Sequence, residues 1–264
     1  MKKPIIIAVA NQKGGVGKTT TVMNLGAAFA LHKNIDVMVA DMDPQSNLTQ
    51  GYGVECGDST PSMAQLLDSG GTSVSLENIV VELKSNLFLA PSNIMLSNLE
   101  LHLQSALARE RRLEKALNCD FAKRFDYIII DCPPSLGLLS VNSLTAAHHV
   151  IVPITAEFFS MMGVKLILST IESMKQNGVN TNLNLLGILL SRFNNRTKLH
   201  QQVRDKIIES NIPTFKTVIR DNIRVAEAPS SSVSIFDHAS KSTGAEDYQK
   251  LATEIRKTLK RYAA

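Results

Sequence analysis

Short, continuously apolar runs alternate along the chain with longer stretches whose apolar positions recur at helical spacing. The runs at 5–10, 36–41, 86–90, 127–132, 149–154, 184–191 and 214–219 are uninterrupted rather than alternating, as strands covered on both faces are. Between them, 18–32, 97–118, 138–147, 159–176, 198–210 and 244–261 read as helices. Leu99, Leu103 and Leu107, then Leu113 and Leu117, give the second of these one apolar stripe. Repeated strand–helix–strand units with short links predict a single doubly wound α/β domain over 1–264, with a mostly parallel sheet and helices on both faces. Residues 52–82, dense in Gly, Ser and Thr, read as a surface excursion with one short helix.

Composition narrows the field. With 44% hydrophobic and 20% charged residues the chain reads as an ordinary globular protein. Three scattered cysteines (Cys56, Cys119, Cys132) suit packing in a reducing cytoplasm, not a disulfide framework or a metal knuckle. The apolar run after Lys2-Lys3 reads as a strand, not a secretory leader, and no run approaches the ~18 residues of a membrane span. The charge is uneven: residues 192–264 hold 14 Lys/Arg against 8 Asp/Glu, whereas 1–191 hold 14 against 16. A basic quarter suits a polyanion; on charge alone a solvated face with no partner reads equally well.

The chemistry begins at "NQKGGVGKTTT". It lies between a predicted strand and a predicted helix, where a phosphate-binding loop of a P-loop NTPase belongs. Gly14, Gly15 and Gly17, with Val16 between them, let successive N–H groups turn inward. Lys18 is placed for the β- and γ-phosphates of ATP and Thr19 for Mg²⁺, and Val16 and Thr20 complete the nucleotide-binding set of the loop. The pattern departs from the general form in two places. Gln12 stands where the first glycine is expected, and a second lysine, Lys13, sits beside it.

Two acidic segments complete the set. In "DMDPQ", Asp41 and Asp43 sit two residues apart in extended chain, which puts them on one side, roughly 6–7 Å apart. One suits the Mg²⁺ waters and the other the attacking water, although Asp41 also suits a turn or cap. In "YIIIDCPP", Asp131 ends an apolar strand, the usual place of an acid that supports Mg²⁺ beside a phosphate loop.

"KGGVGKTT", "DMDPQSNLT", "IIIDCPPSLGLLSVNSLTAA" and "IRVAEAPSSS…FDHASKSTGAEDYQKLA", in this order, resemble the ParA/Soj-type partition ATPases, the deviant Walker A class. The resemblance implies an ATP-dependent homodimer in which each subunit sends Lys13 to the partner's phosphates, as an arginine finger does. It gives Asp43 the positioning of water, makes Asp41 and Asp131 the Mg²⁺-supporting acids, and starts the second switch at Pro133 and Pro134. It further implies slow ATP hydrolysis stimulated by a centromere-binding, ParB-type protein, and a cytoplasmic, nucleoid-associated life partitioning plasmid or chromosomal DNA. Arg196 and Arg224 match DNA-binding positions, and Lys198, Arg204 and Arg220 are neighbours that add sequence-independent phosphate contacts. At 219–222, "IRDN" departs from the family's pattern by a lost proline and a displaced arginine, in a loop tied to adenine contacts.

The alternative is a MinD-type membrane-cycling ATPase, which needs an amphipathic tail. "YQKLATEIRKTLKRYAA" offers Leu251, Ile255 and Leu259 as a narrow stripe, better suited to a core helix, so no membrane is expected. The nitrogenase iron-protein group needs cluster-binding cysteines that Cys132 does not supply, and the intact Lys18, Thr19, Asp43 and Asp131 argue against a DNA-binding regulator without catalysis.

Overall fold

A computed structural model describes residues 3–157 and 160–262. The elements run β1 (Ile5–Val9), α1 (Lys18–Ala30), β2 (Val37–Asp41), α2 (Asn47–Gly51), α3 (Met63–Ser69), α4 (Leu76–Ile79), β3 (Val81–Lys84), β4 (Leu87–Ala90), α5 (Met95–Leu103) and α6 (Arg112–Leu117). They continue with β5 (Tyr127–Asp131), α7 (Leu138–Ala146), β6 (His149–Thr155), α8 (Ser160–Gln176), β7 (Asn184–Ser191), α9 (Lys198–Glu209), α10 (Ile223–Glu227), α11 (Ile235–His238) and α12 (Thr243–Tyr262). The predicted start of α8 at residue 159 lies outside the described residues. The sheet order is β3-β4-β2-β5-β1-β6-β7, with every pair parallel except β3–β4.

The strands are apolar throughout because the sheet is covered twice. Ile6, Ala8, Met38, Ile128 and Ile130 face one layer of helices, while Ile7, Val9, Val39 and Ile129 face the other, which holds α1 and α12. Alternate residues thus enter different cores, as the two-residue repeat of a strand requires. On α12, Tyr248, Leu251, Ile255 and Leu259 are buried against this second layer. The stripe that a bilayer would need is therefore already covered by protein. At Gly26, α1 comes so close to the sheet that an added Cβ would lie 2.6 Å from a Val39 methyl.

Four expectations change. Residues 97–118 form not one helix but α5, a break, a 3₁₀ turn at Arg109–Arg111 and α6, and Leu107 is 91% exposed. Asn142 of α7 services the break: its amide donates to the Arg109 carbonyl (2.8 Å) and its oxygen accepts from the Leu113 amide (3.1 Å). The run 214–219 is not a ladder strand. It meets β7 through one bridge, Thr214 with Ile188, and through the Phe215 and Ile219 amides, but no ladder forms between them because the amides of Lys216 and Thr217 donate to the Glu254 carboxylate of α12 (2.8 and 2.9 Å). Residues 52–82 hold two short helices, each begun by a capping box, Ser62 with Gln65 and Ser75 with Asn78. Finally, β3 adds an antiparallel edge that the sequence reading lacked.

Removing the Asn142 side chain strands the buried Leu113 amide and takes the donor from the Arg109 carbonyl at the α5–α6 break. Asn142→Ala is expected to lower the unfolding free energy by about 2 kcal/mol, read from urea denaturation.

Candidate nucleotide site

The site forms where β1, β5 and β2 end together. Register pairs Val9 and Asp41 each with Asp131, so both acids stand level with the start of the loop at the carboxyl edge of the sheet. The loop between β1 and α1 turns on Gly15 and Gly17, at φ 72° and 88°, the left-handed region that glycine enters without strain. Gly17 immediately precedes α1, so the helix begins with its amides directed at the loop. The Ser191 hydroxyl at the end of β7 lies 2.6 Å from the Val16 carbonyl and 3.0 Å from that of Ile154. It pins the loop to the neighbouring strands.

The two lysines of the loop go separate ways. Lys18 is buried, and its ammonium donates to the Lys13 carbonyl at 3.3 Å. Burial lowers its pKa, and Asp131, Cys132 and Asp43 pull it back up. Lys13, by contrast, is exposed and pairs with Glu157, just beyond β6. That hydrogen bond, with one from Thr155, draws the Glu157 pKa down. Asn11 sets the loop's entry: its oxygen accepts from the Lys13 amide (3.0 Å) and its amide donates to Pro153 (2.7 Å).

The three aspartates differ sharply. Asp41, fully buried, accepts from the Asp43 amide (3.1 Å), the Thr49 amide (2.9 Å) and the Thr49 hydroxyl (2.7 Å). Burial still raises its pKa, to about 6, against the Thr49 bonds. With three donors in place it braces α2 behind the switch, so its contribution to a cation is charge and position rather than coordination. This corrects the expectation that it projects to the same side as Asp43. Asp43 faces the cavity, while its own backbone carbonyl is held by the Ser92 hydroxyl at 2.8 Å. Asp131 is buried with neither oxygen hydrogen-bonded at normal geometry. Burial, then the Asp41 charge, raise its pKa well above the carboxylate range, with the Thr19 hydroxyl and Lys18 opposing.

An orphaned buried carboxylate beside the Thr19 hydroxyl is what a hydrated Mg²⁺ would satisfy. The described residues hold no cluster of three ligating acids, histidines or cysteines. That fits a cation which keeps its waters and leans on phosphate oxygens.

The cavity has a volume of about 780 Å³. Its phosphate end is lined by Gly14, Gly15, Gly17 to Thr20 and Asp43, and its far end by Arg192, residues 219–223, Val225, Ala226 and Pro229. The departed "IRDN" segment therefore faces the same cavity as the phosphate loop.

The expected DNA-facing residues divide. Arg196, Lys198 and Arg224 are exposed, Arg224 pairing with Glu227 at 3.0 Å. Arg204 pairs with Asp205 beside it and lies 5.8 Å from the centre of the Phe193 ring. Arg220 is a correction: Asp247 and Glu246 hold its guanidinium, so it is not available to DNA phosphates. Sequence reasoning missed Thr49, Ser191, Glu157 and Asp247. Thr49 and Asp247 had a local signal, in their places within "DMDPQSNLT" and "STGAEDYQKLA".

A glycine-turned phosphate loop between a parallel strand and a helix, with buried acids at the adjoining strand ends, defines a P-loop nucleotide-binding protein. The AAA domain family profile matches residues 4–185. Among relatives, the sporulation initiation inhibitor protein Soj of Bacillus subtilis is 40% identical over 95% of this chain and 97% of its own length. The chromosome-partitioning ATPase Soj of Treponema pallidum is 38% identical over 94% and 96%. Among solved structures, cobyrinic acid a,c-diamide synthase from Mycobacterium smegmatis, with bound ATP analog and magnesium, is 35% identical with a TM-score of 0.83, covering 97% of this chain and 96% of its own. The chain belongs to the AAA domain family, in its Soj/ParA branch of partitioning ATPases.

The raised pKa of Asp131 has a checkable sign. A carboxyl whose folded pKa lies above the unfolded value stabilises the fold while neutral, and that stability is lost as pH rises through the folded value. Without ligand, wild type is expected to lose more stability than Asp131→Asn as pH rises from about 4 upward, measured by parallel thermal melts. Equal pH dependence in the two would contradict the assignment.

Proposed function

We propose that this chain is a partitioning switch whose ATP-bound dimer holds DNA without reading its sequence and releases it on hydrolysis. The observation that carries this reading is the divergence of the two lysines. Lys18 lies inside its own site, while Lys13 leaves the same loop outward to Glu157.

Lys18 and the amides from Gly14 to Thr20 would hold the triphosphate, and Thr19 with Asp131 would hold Mg²⁺ through its waters. The cation would neutralise charge on the β- and γ-phosphates. Asp43 orients the attacking water toward the γ-phosphate. Lys13, outside its own cavity, completes a second subunit's site when two cavities close face to face. Without the γ-phosphate that contact is missing, so hydrolysis loosens the pair. Turnover is slow in isolation and rises with a centromere-binding, ParB-type partner, and the protein works in the cytoplasm on the nucleoid.

Arg196 and Arg224 each follow within four residues of the Phe193–Arg220 backbone bridge. This exposed basic cluster supports a DNA-facing role. The MinD-type alternative is disfavoured because the apolar face of α12 is already in the core.

Binding of a DNA duplex, compared with ATP, with ADP and without nucleotide across a salt series, tests this directly. Tight, salt-sensitive binding is expected with ATP alone, and equal binding in all three conditions would contradict the switch. Asp43→Ala is expected to cut hydrolysis roughly 10²-fold and to stay on DNA. Arg224→Glu should reduce DNA binding with ATP-dependent dimerisation intact, seen by anisotropy and sedimentation.

A further inference from the structure

The far end of the cavity is braced from α12 by the Arg220–Asp247 ion pair, beside a looser pair of Arg192 with Asp221 at 3.7 Å. Asp247, in the first turns of α12, has a nearly buried side chain, and it accepts from the Arg220 backbone amide (2.9 Å), from Nε (2.9 Å) and from a terminal guanidinium nitrogen (2.6 Å). The same guanidinium reaches Glu246 at 2.7 Å and the Thr243 carbonyl at 3.3 Å. Planar fork on carboxylate is the strongest of the side-chain pairings, and here the backbone is gripped by the same acid.

What this pair immobilises is the wall opposite the phosphate loop. Residues 219–221 are joined to the end of β7 by Ile219 to Leu190 (2.8 Å), Phe193 to Ile219 (2.9 Å) and Asp221 to Phe193 (3.1 Å). Asn222 caps α10 through the Arg224 amide (2.9 Å) and donates to the Thr243 hydroxyl (2.7 Å). At Gly244 an added Cβ would lie 2.3 Å from a Val225 methyl. The start of α12 therefore clamps the segment from Arg220 to Val225, which with Tyr248 of α12 lines the nucleotide cavity. With the triphosphate at Gly14–Thr20, the base and ribose fall against this wall.

We propose that Arg220, held by Asp247, is a positioning residue for the nucleobase: it fixes the wall that the base rests on and does not touch the phosphates. The inference rests on the reading of this cavity as the ATP site. Asp247 is too buried to stand alone, so losing Arg220 leaves an unpaired carboxylate and lets the loop leave its place. If the correct wall is then populated a tenth of the time, apparent affinity falls by that factor.

The test uses the full chain and two probes, ATP and inorganic tripolyphosphate, the latter lacking base and ribose. Affinities are measured by calorimetry with Mg²⁺ for wild type, Arg220→Ala, Arg220→Lys and the exchanged pair Arg220→Asp with Asp247→Arg, with thermal melts alongside. The expected result is about a tenfold loss of ATP affinity in Arg220→Ala, unchanged tripolyphosphate affinity, and partial recovery in Arg220→Lys. Should Arg220→Ala be too unstable to titrate, Arg220→Lys and the exchanged pair give the same comparison. Equal loss for both probes, or none for either, overturns the positioning role. Wild type that binds tripolyphosphate as tightly as ATP overturns it too. Wild type that binds neither removes the ATP reading itself, and this inference with it.

Discussion

Two cations in one loop cannot both serve one triphosphate, and the molecule resolves this by burying one and exposing the other. Lys18 enters a pocket of low polarity, where Asp131, Cys132 and Asp43 offset the cost of its desolvation. Lys13, five residues earlier, meets water and Glu157. Their separation depends on the φ-positive turns at Gly15 and Gly17, which reverse the chain tightly between them. The buried acids, the orphaned Asp131 and the outward Lys13 are all consequences of that division. The site thus has buried acids at its floor and, at its rim, a lysine that pairs outward with Glu157 rather than inward.

The end of β7 gives both sides of the cavity a common frame. Ser191 ties it to the phosphate loop, and Leu190 and Phe193 tie it to residues 219–221. The phosphate end and the base end are thereby fixed to one strand, while α12 closes the base end through Asp247 and packs its apolar face into the core beneath. One short segment runs from the cavity wall at 219–222 into α10, where Arg224 sits. Nucleotide state and the proposed DNA face thus share backbone, with no need for long-range transmission.

Much of this was legible in the sequence, for definite reasons. The doubly covered sheet leaves uninterrupted apolar strands, so six of the seven predicted runs are strands. The phosphate loop announces itself because glycine spacing and Lys18-Thr19 are dictated by local geometry. What failed were features decided at long range. The run 214–219 looks like a strand, yet Glu254, 38 residues from Lys216, takes the amides a ladder needs. Leu107 fits a stripe, yet the helix breaks before it where Asn142 can satisfy the backbone. Asp41 and Asp43 look equivalent by spacing, and only Thr49 distinguishes them. Arg220 looks like a surface charge until α12 brings Asp247 to it. The sequence carried the capping boxes at Ser62 and Ser75 openly, and they went unread.

The central claim is that Lys13 acts on a second subunit's nucleotide. Sedimentation velocity with ATP and Mg²⁺, wild type against Lys13→Gln, tests it most directly. The account predicts that wild type pairs while Lys13→Gln stays single and still binds ATP through Lys18. A Lys13→Gln chain that pairs as wild type does would contradict it.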